Sequence, residues 1–156
     1  MHQFHFSAER RIQAPVDIVY HCLADYREHH RPAAAGGFLP PAFTSLDVLQ
    51  GGYGAGTVFR FTTSLGGRSA ARTQQVSEPE PGRVLVESGD GEGSTFTLEP
   101  QGDNATRLRI DTTLNAPGVE GVFIRLFGGR VLRPVYAEEM SRLEKYAQAH
   151  AGVAAS

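Results

Sequence analysis

Residues 83–114, RVLVESGDGEGSTFTLEPQGDNATRLRIDTTL, hold three short apolar runs separated by two turn-forming breaks, and their reading decides the fold. In the last run Leu108, Ile110, Thr112 and Leu114 alternate with Arg107, Arg109 and Asp111, the period-two pattern of a strand with one buried face. Phe96 and Leu98 form the apolar pair of the run before it, and Val84 and Val86 read as the inner pair of the first. The breaks, at Gly89 to Gly93 and at Gly102-Asp103-Asn104, are of hairpin size. Strands joined this tightly run antiparallel, because a parallel pair needs a crossover of a dozen residues or more.

The same pattern extends upstream. Strands are expected at Phe43–Gln50, Thr57–Leu65 and Arg68–Ser77, with connections Gly51 to Gly56, Gly66-Gly67 and Glu78-Pro79-Glu80-Pro81-Gly82. At the start, Phe4, Phe6, Ala8 and Ile12 alternate with His5, Ser7, Glu9 and Arg11, which supplies a seventh strand. Ala14-Pro15 ends it. Pro15 suits the first position of a helix, and Val16, Val19, Tyr20 and Leu23 then recur at helical spacing. A second short helix is expected over Tyr26 to Arg31, stopped by Pro32 and Gly36-Gly37.

Downstream, Val119 to about His150 places Val122, Phe123, Leu126, Phe127, Val131, Val135, Met140, Leu143 and Tyr146 mostly three and four apart, which is a long helix. Gly128-Gly129 costs about 2 kcal/mol relative to two alanines, so a kink or break is expected there. The fold class is therefore α+β: a seven-stranded curved antiparallel sheet wrapped around a long C-terminal helix, with two short helices after the first strand. One domain spans 1–150, and 151–156 read as a frayed tail.

Composition limits the function. The chain has 156 residues, 40 % hydrophobic and 21 % charged, a balance that supports one domain with its own core. Its net charge of −2 gives no electrostatic basis for nucleic acid. No apolar run reaches the roughly 20 residues of a membrane span, so no membrane insertion is expected. The first residues lack the apolar stretch of a secretion signal, and a cytoplasmic location is expected. Cys22 stands alone, and neither His2-Gln3-Phe4-His5 nor His21 forms a recognised zinc pattern, so no metal and no cofactor is expected.

The order of elements resembles the START-like helix-grip (SRPBCC) superfamily, and within it the bacterial polyketide cyclase/dehydrase-like proteins. The resemblance is carried by ERRIQAPVDIVYHCLADYREH, GAGTVFRF, EPEPGRVLVESG, GSTFTLEPQGDNATRLRIDTTL and FIRLFGGRVLRPVYAEEMSRLEKY, almost the whole chain. After the second short helix, where many relatives carry an aromatic, often Trp, this chain has His29-His30-Arg31-Pro32. The resemblance implies a cavity between sheet and helix that takes lipids, polyketides or other apolar molecules, and in some members cyclase or hydrolase chemistry.

Parity nominates the lining. Phe59, Phe61 and Thr63 are expected to point inward, as are Phe96, Ile110 and Thr112. On the helix Phe127, Tyr136 and Met140 are either core or cavity wall. In the strand from Arg68, Val76 selects Arg72 and Gln74 as its inward companions. Arg72 then has two readings: an anchor for a carboxylate or enolate oxygen, or an exposed residue of the rim or outer face. His29 and His30 fall near the expected mouth, and adjacent residues of a helix cannot both face inward. One of them is a candidate proton carrier and both are candidates for a solvated loop. Tyr53 in its glycine-rich loop is a candidate gate.

Three functions remain open. One is binding of a small hydrophobic or aromatic molecule by Phe59, Phe61, Arg72, Gln74, Phe96, Ile110, Thr112, Phe127, Tyr136 and Met140. Another is a cyclase/aromatase or dehydratase-type enzyme with His29, His30, Arg72 or Tyr136 as catalytic residues. The last is a protein-interaction or stress-regulatory module. The sequence leaves open whether the chain is a monomer or a homodimer.

Overall fold

A computed structural model describes residues 3–65, 67–115 and 118–154. Seven strands, β1 (Gln3–Ile12), β2 (Phe43–Gln50), β3 (Val58–Leu65), β4 (Arg68–Glu80), β5 (Val84–Gly89), β6 (Glu92–Pro100) and β7 (Thr106–Asn115), form one antiparallel sheet. Its order is β1-β7-β6-β5-β4-β3-β2, so the first strand closes on the last and the rest is a meander. Helix α1 (Val16–Ala24) follows β1, and α2 (Gly118–Ala154) crosses the concave face. This is the helix-grip arrangement.

Local chemistry sets the turns. Between β5 and β6 only Asp90 and Gly91 remain outside the ladder, both at positive φ (54° and 77°). That conformation matches the twist of the two strands, and Asp-Gly is a pair that adopts it cheaply. Between Ser77 and Glu80 the β4–β5 register shifts, at the point where Pro79 can offer no N–H to a neighbour. A shift of this kind bends the strand that carries it.

The two short helical pieces after β1 are α1 and a 3-10 turn at Ala33–Ala35. Residues 26–29, expected to be helical, are turns instead. Asp25 causes this: its Oδ1 accepts the backbone N–H groups of Arg27 and Glu28, both at 3.0 Å. A side-chain acceptor thus replaces the carbonyls a helix would offer.

Two further expectations change. Leu85 and Glu87 face inward on β5, not Val84 and Val86, and Leu85 pairs with the inward Phe96. Three consecutive apolar residues fit either parity, and the charge of Glu87 made the true face look polar. Helix α2 does not break at Gly128-Gly129 and also runs through Pro134. Its inner face packs against the core through Leu132, Tyr136, Met140, Leu143 and Ala147, which holds the segment together despite the weak formers. It continues to Ala154, past the start of the expected tail.

The core gathers where α1, the inner sheet face and the C-terminal half of α2 meet. Ile12, Leu23, Tyr26, Phe38, Leu85, Leu98, Leu108 and Leu143 are fully buried there. No helix among the described residues is long and apolar enough to cross a membrane.

Candidate functional site

A curved sheet and a straight helix diverge away from the point where they touch. Here the gap is a cavity of about 570 Å³ between the inner face of β3–β7 and α2. Most of its wall is apolar: Phe59, Phe61, Phe96, Ile110 and Leu114 from the sheet, Leu132 and Val135 from the helix. The volume lies within the range of sites for small organic ligands.

Polar groups enter at three places. At the inner end are Glu87 from β5, Glu139 from α2 and His30 from the turn after α1, all buried. Burial raises the Glu87 carboxyl to about 7. Burial, and then the neighbouring Glu87, raises Glu139 to about 8. Two carboxylates cannot both ionise cheaply in one buried recess. Glu87 accepts the Tyr26 hydroxyl proton at 2.5 Å, whereas Glu139 has no side-chain hydrogen bond among the described residues. Its carboxyl lies on the cavity wall.

His30 is kept neutral, its pKa pushed down to about 4 by burial. Its Nδ1–H donates to the Leu23 carbonyl at 2.8 Å, which leaves the lone pair on Nε2, 3.7 Å from Glu87 Oε2. Tyr26 stacks on the ring at 4.5 Å and fixes its plane.

The second place is a hydroxyl ladder across the sheet and helix. Tyr136 and Thr112 share a hydrogen bond of 2.6 Å, and Thr112 and Ser94 one of 2.9 Å. At the third, Arg72 lies on the cavity wall with its side chain one-third exposed, and its Nε donates to Glu92 at 2.5 Å. Arg72 thus faces inward at an open rim, with an acid already paired to it.

The structure brings together on the cavity wall Phe59, Phe61, Arg72, Gln74, Phe96, Ile110, Thr112 and Tyr136 of the expected set, with His30. Met140 is buried in the core and does not line the cavity. The side chain of Phe127 lies outside the described residues. His29 points away, toward Tyr146 and His150. Tyr53 does not gate the cavity; its hydroxyl meets His21 on the outer side of α1. Cys22 is fully buried, and burial pushes its thiol up to about 12, as befits an inert side chain.

Sequence reasoning missed Tyr26, Glu87 and Glu139. For Glu139 a signal existed: it follows Val135 by four and Tyr136 by three, an acid inside the apolar stripe of α2.

Comparison with known proteins gives the fold company. The model of a family described as polyketide cyclase / dehydrase and lipid transport matches residues 3–148. The Zhui aromatase/cyclase from a Streptomyces species is 16 % identical with a TM-score of 0.72, over 94 % of this chain and 94 % of that one. A START superfamily protein from Mycobacterium smegmatis is 17 % identical with a TM-score of 0.65, over 91 % of this chain and 98 % of that one. Norcoclaurine synthase from Thalictrum flavum, solved with dopamine and hydroxybenzaldehyde, is 15 % identical with a TM-score of 0.66, over 96 % and 88 %. No curated protein sequence matches significantly.

Proposed function

Because the chain belongs to the polyketide cyclase/dehydrase and lipid transport family, we propose that it is a cytoplasmic protein that binds a small hydrophobic or aromatic molecule, lipid- or polyketide-like, between the sheet and α2. The observation that carries this reading is the apolar cavity of about 570 Å³. Space of that size lined by Phe, Leu and Ile forfeits packing contacts unless something fills it. Phe59, Phe61, Phe96 and Ile110 supply contact area, while Gln74, Thr112 and Tyr136 orient the ligand's polar atoms.

Binding of the fluorescent probe N-phenyl-1-naphthylamine tests it. The parent is expected to bind one probe, and Val135→Trp, which fills the cavity from the half-buried helix face, to bind at least ~10-fold more weakly. Equal binding by both would show that the probe sits elsewhere and would remove the reading. Native mass spectrometry of protein from its own host then identifies the physiological ligand.

A second reading, a cyclase/aromatase or dehydratase-type enzyme, is favoured by the buried acids. At neutral pH Glu139 holds its proton and His30 Nε2 holds a lone pair, an acid and a base beside one cavity. In a β-hydroxy ketone the base would take the α-proton, Arg72 or Gln74 would hold the enolate oxygen, and Glu139 would protonate the departing hydroxyl. Dehydration of an aromatic β-hydroxy ketone is expected to fall at least ~100-fold in His30→Gln and in Glu139→Gln. Turnover that survives both substitutions excludes these roles.

A further inference from the structure

At the C-terminal end of α1, outside the cavity lining, His21, Asp25 and His29 stand four residues apart, and one donor atom from each lies within 4.8 Å of the other two. His21 is on the last turn of α1, Asp25 caps that helix, and His29 sits in the turn that Asp25 organises. The carbonyl end of a helix carries partial negative charge, which favours a cation at this place.

The atoms not aimed at the centre are already committed. Asp25 spends Oδ1 on the N–H groups of Arg27 and Glu28, which leaves Oδ2 open, 3.9 Å from His29 Nε2. His29 Nδ1 is held by the Tyr146 hydroxyl at 2.6 Å, and that hydroxyl lies 3.5 Å from the Glu28 carbonyl. With the proton on Nδ1, the chain runs from His29 N–H to Tyr146 O–H to the carbonyl, and Nε2 keeps its lone pair. His21 Nδ1 is likewise 3.0 Å from the Tyr53 hydroxyl. Metal-binding imidazoles are held in just this way, by a partner on the opposite nitrogen that sets ring plane and tautomer. One aspartate, two histidines and a tyrosine behind each ring form an arrangement that needs a reason, since none of these groups reaches the cavity.

We propose that His21, Asp25 and His29 bind one divalent transition-metal ion of the zinc class. Donors around tetrahedral zinc stand roughly 3.3 Å apart, so the pair at 3.9 Å needs to close by a fraction of an ångström and no pair by more than about 1.5 Å. Three protein ligands leave a fourth position, and His21 is exposed, so water takes it. Imidazole and carboxylate together suit zinc, cobalt or nickel over calcium or magnesium. The ion would clamp residues 25–29 to α1, and His30, the next residue, faces the cavity. The inference is independent of what the cavity binds.

The untagged full-length protein is titrated with Zn²⁺ at pH 7.5 against a chromophoric chelator, and with Co²⁺ for its visible spectrum. One equivalent of Zn²⁺ is expected, with Co²⁺ bands of four- or five-coordinate geometry. Asp25→Asn keeps the Oδ1 acceptor and removes the ligand, and should weaken binding at least ~10-fold. His21→Gln, at an exposed position, should do the same, whereas the double variant His2→Gln, His5→Gln should bind like the parent. Tyr146→Phe should weaken binding and leave the stoichiometry at one. Absence of a one-equivalent site overturns the proposal, as does binding that survives both Asp25→Asn and His21→Gln.

Discussion

Glu139→Gln is expected to be more stable than the parent chain at pH 9, on the order of a few kcal/mol, and close to it at pH 5. The Glu139 carboxyl moves from an ordinary 4.5 to about 8 on folding. Between those values the folded chain keeps a proton that the unfolded chain has released. Stability therefore falls as pH rises, by up to about 1.4 kcal/mol per pH unit for one proton. Glu87, raised to about 7, adds the same sign over a narrower window. His30 acts the other way: lowered from 6.5 to about 4, it makes stability climb with pH between those values. His29, also lowered by burial, shares its sign. Below pH 6.5 the carboxyls and histidines oppose each other; above it the carboxyls dominate, and the Cys22 thiol joins them with the same sign near pH 9. Urea denaturation across pH 5 to 9 should show a plateau followed by a decline in the parent, and a shallower decline in the variant. Equal slopes above pH 6.5 would mean that Glu139 ionises freely in the folded chain.

Tyr26→Ala is expected to cost about 3–5 kcal/mol for the lost ring, with a further 1–3 for the acceptor it abandons. The ring lies between His30 at 4.5 Å and Phe59 at 4.8 Å, and is fully buried. Its hydroxyl serves Glu87, so Tyr26→Phe removes only that bond and should cost about 1–3 kcal/mol. The same bond lowers the Glu87 pKa against burial, so the Phe variant should also move Glu87 further up. Denaturation curves of the two variants separate the contributions. If Phe costs as much as Ala, the stack contributes nothing and this account of the inner end fails.

How legible the protein is from its sequence varies by residue. On β7 the alternation Leu108, Ile110, Thr112 against Arg107, Arg109, Asp111 leaves one solution, and the pairing of Phe96 with Ile110 follows it. Arg72 and Gln74 could be placed inward because Val76 fixed the phase of β4, and the partners of Phe59 and Phe61 across the ladder are Gln74 and Arg72. On β5 the phase was ambiguous, and the wrong choice hid Glu87. Periodicity finds what is apolar, so it ranks a buried acid as an error of pattern. Whether a buried acid is tolerable depends on a recess that only the assembled sheet and helix create. His30 and His29 differ for a similar reason. Their opposite directions are set by the Asp25 turn and the Leu23 carbonyl, contacts that no spacing rule encodes.

Helix α2 divides two duties along its length. Its C-terminal half is bolted down: Glu144 takes Arg10 at 2.7 Å and the Gln13 N–H at 2.8 Å, Gln148 donates to the Gln13 carbonyl, and Leu143 and Ala147 are fully buried. The stretch from Gly128 to Glu139 supplies the cavity wall, with Val131 and Val135 only partly covered. Residues that keep the chain folded and residues that line the cavity are thus largely different residues on one rod, with Leu132 and Tyr136 serving both. A lineage can then exchange Val131 or Val135 to follow a new molecule while its thermal limit stays put. That separation gives drift in ligand preference a low penalty, and it marks those positions as the first to diversify in a directed-evolution library.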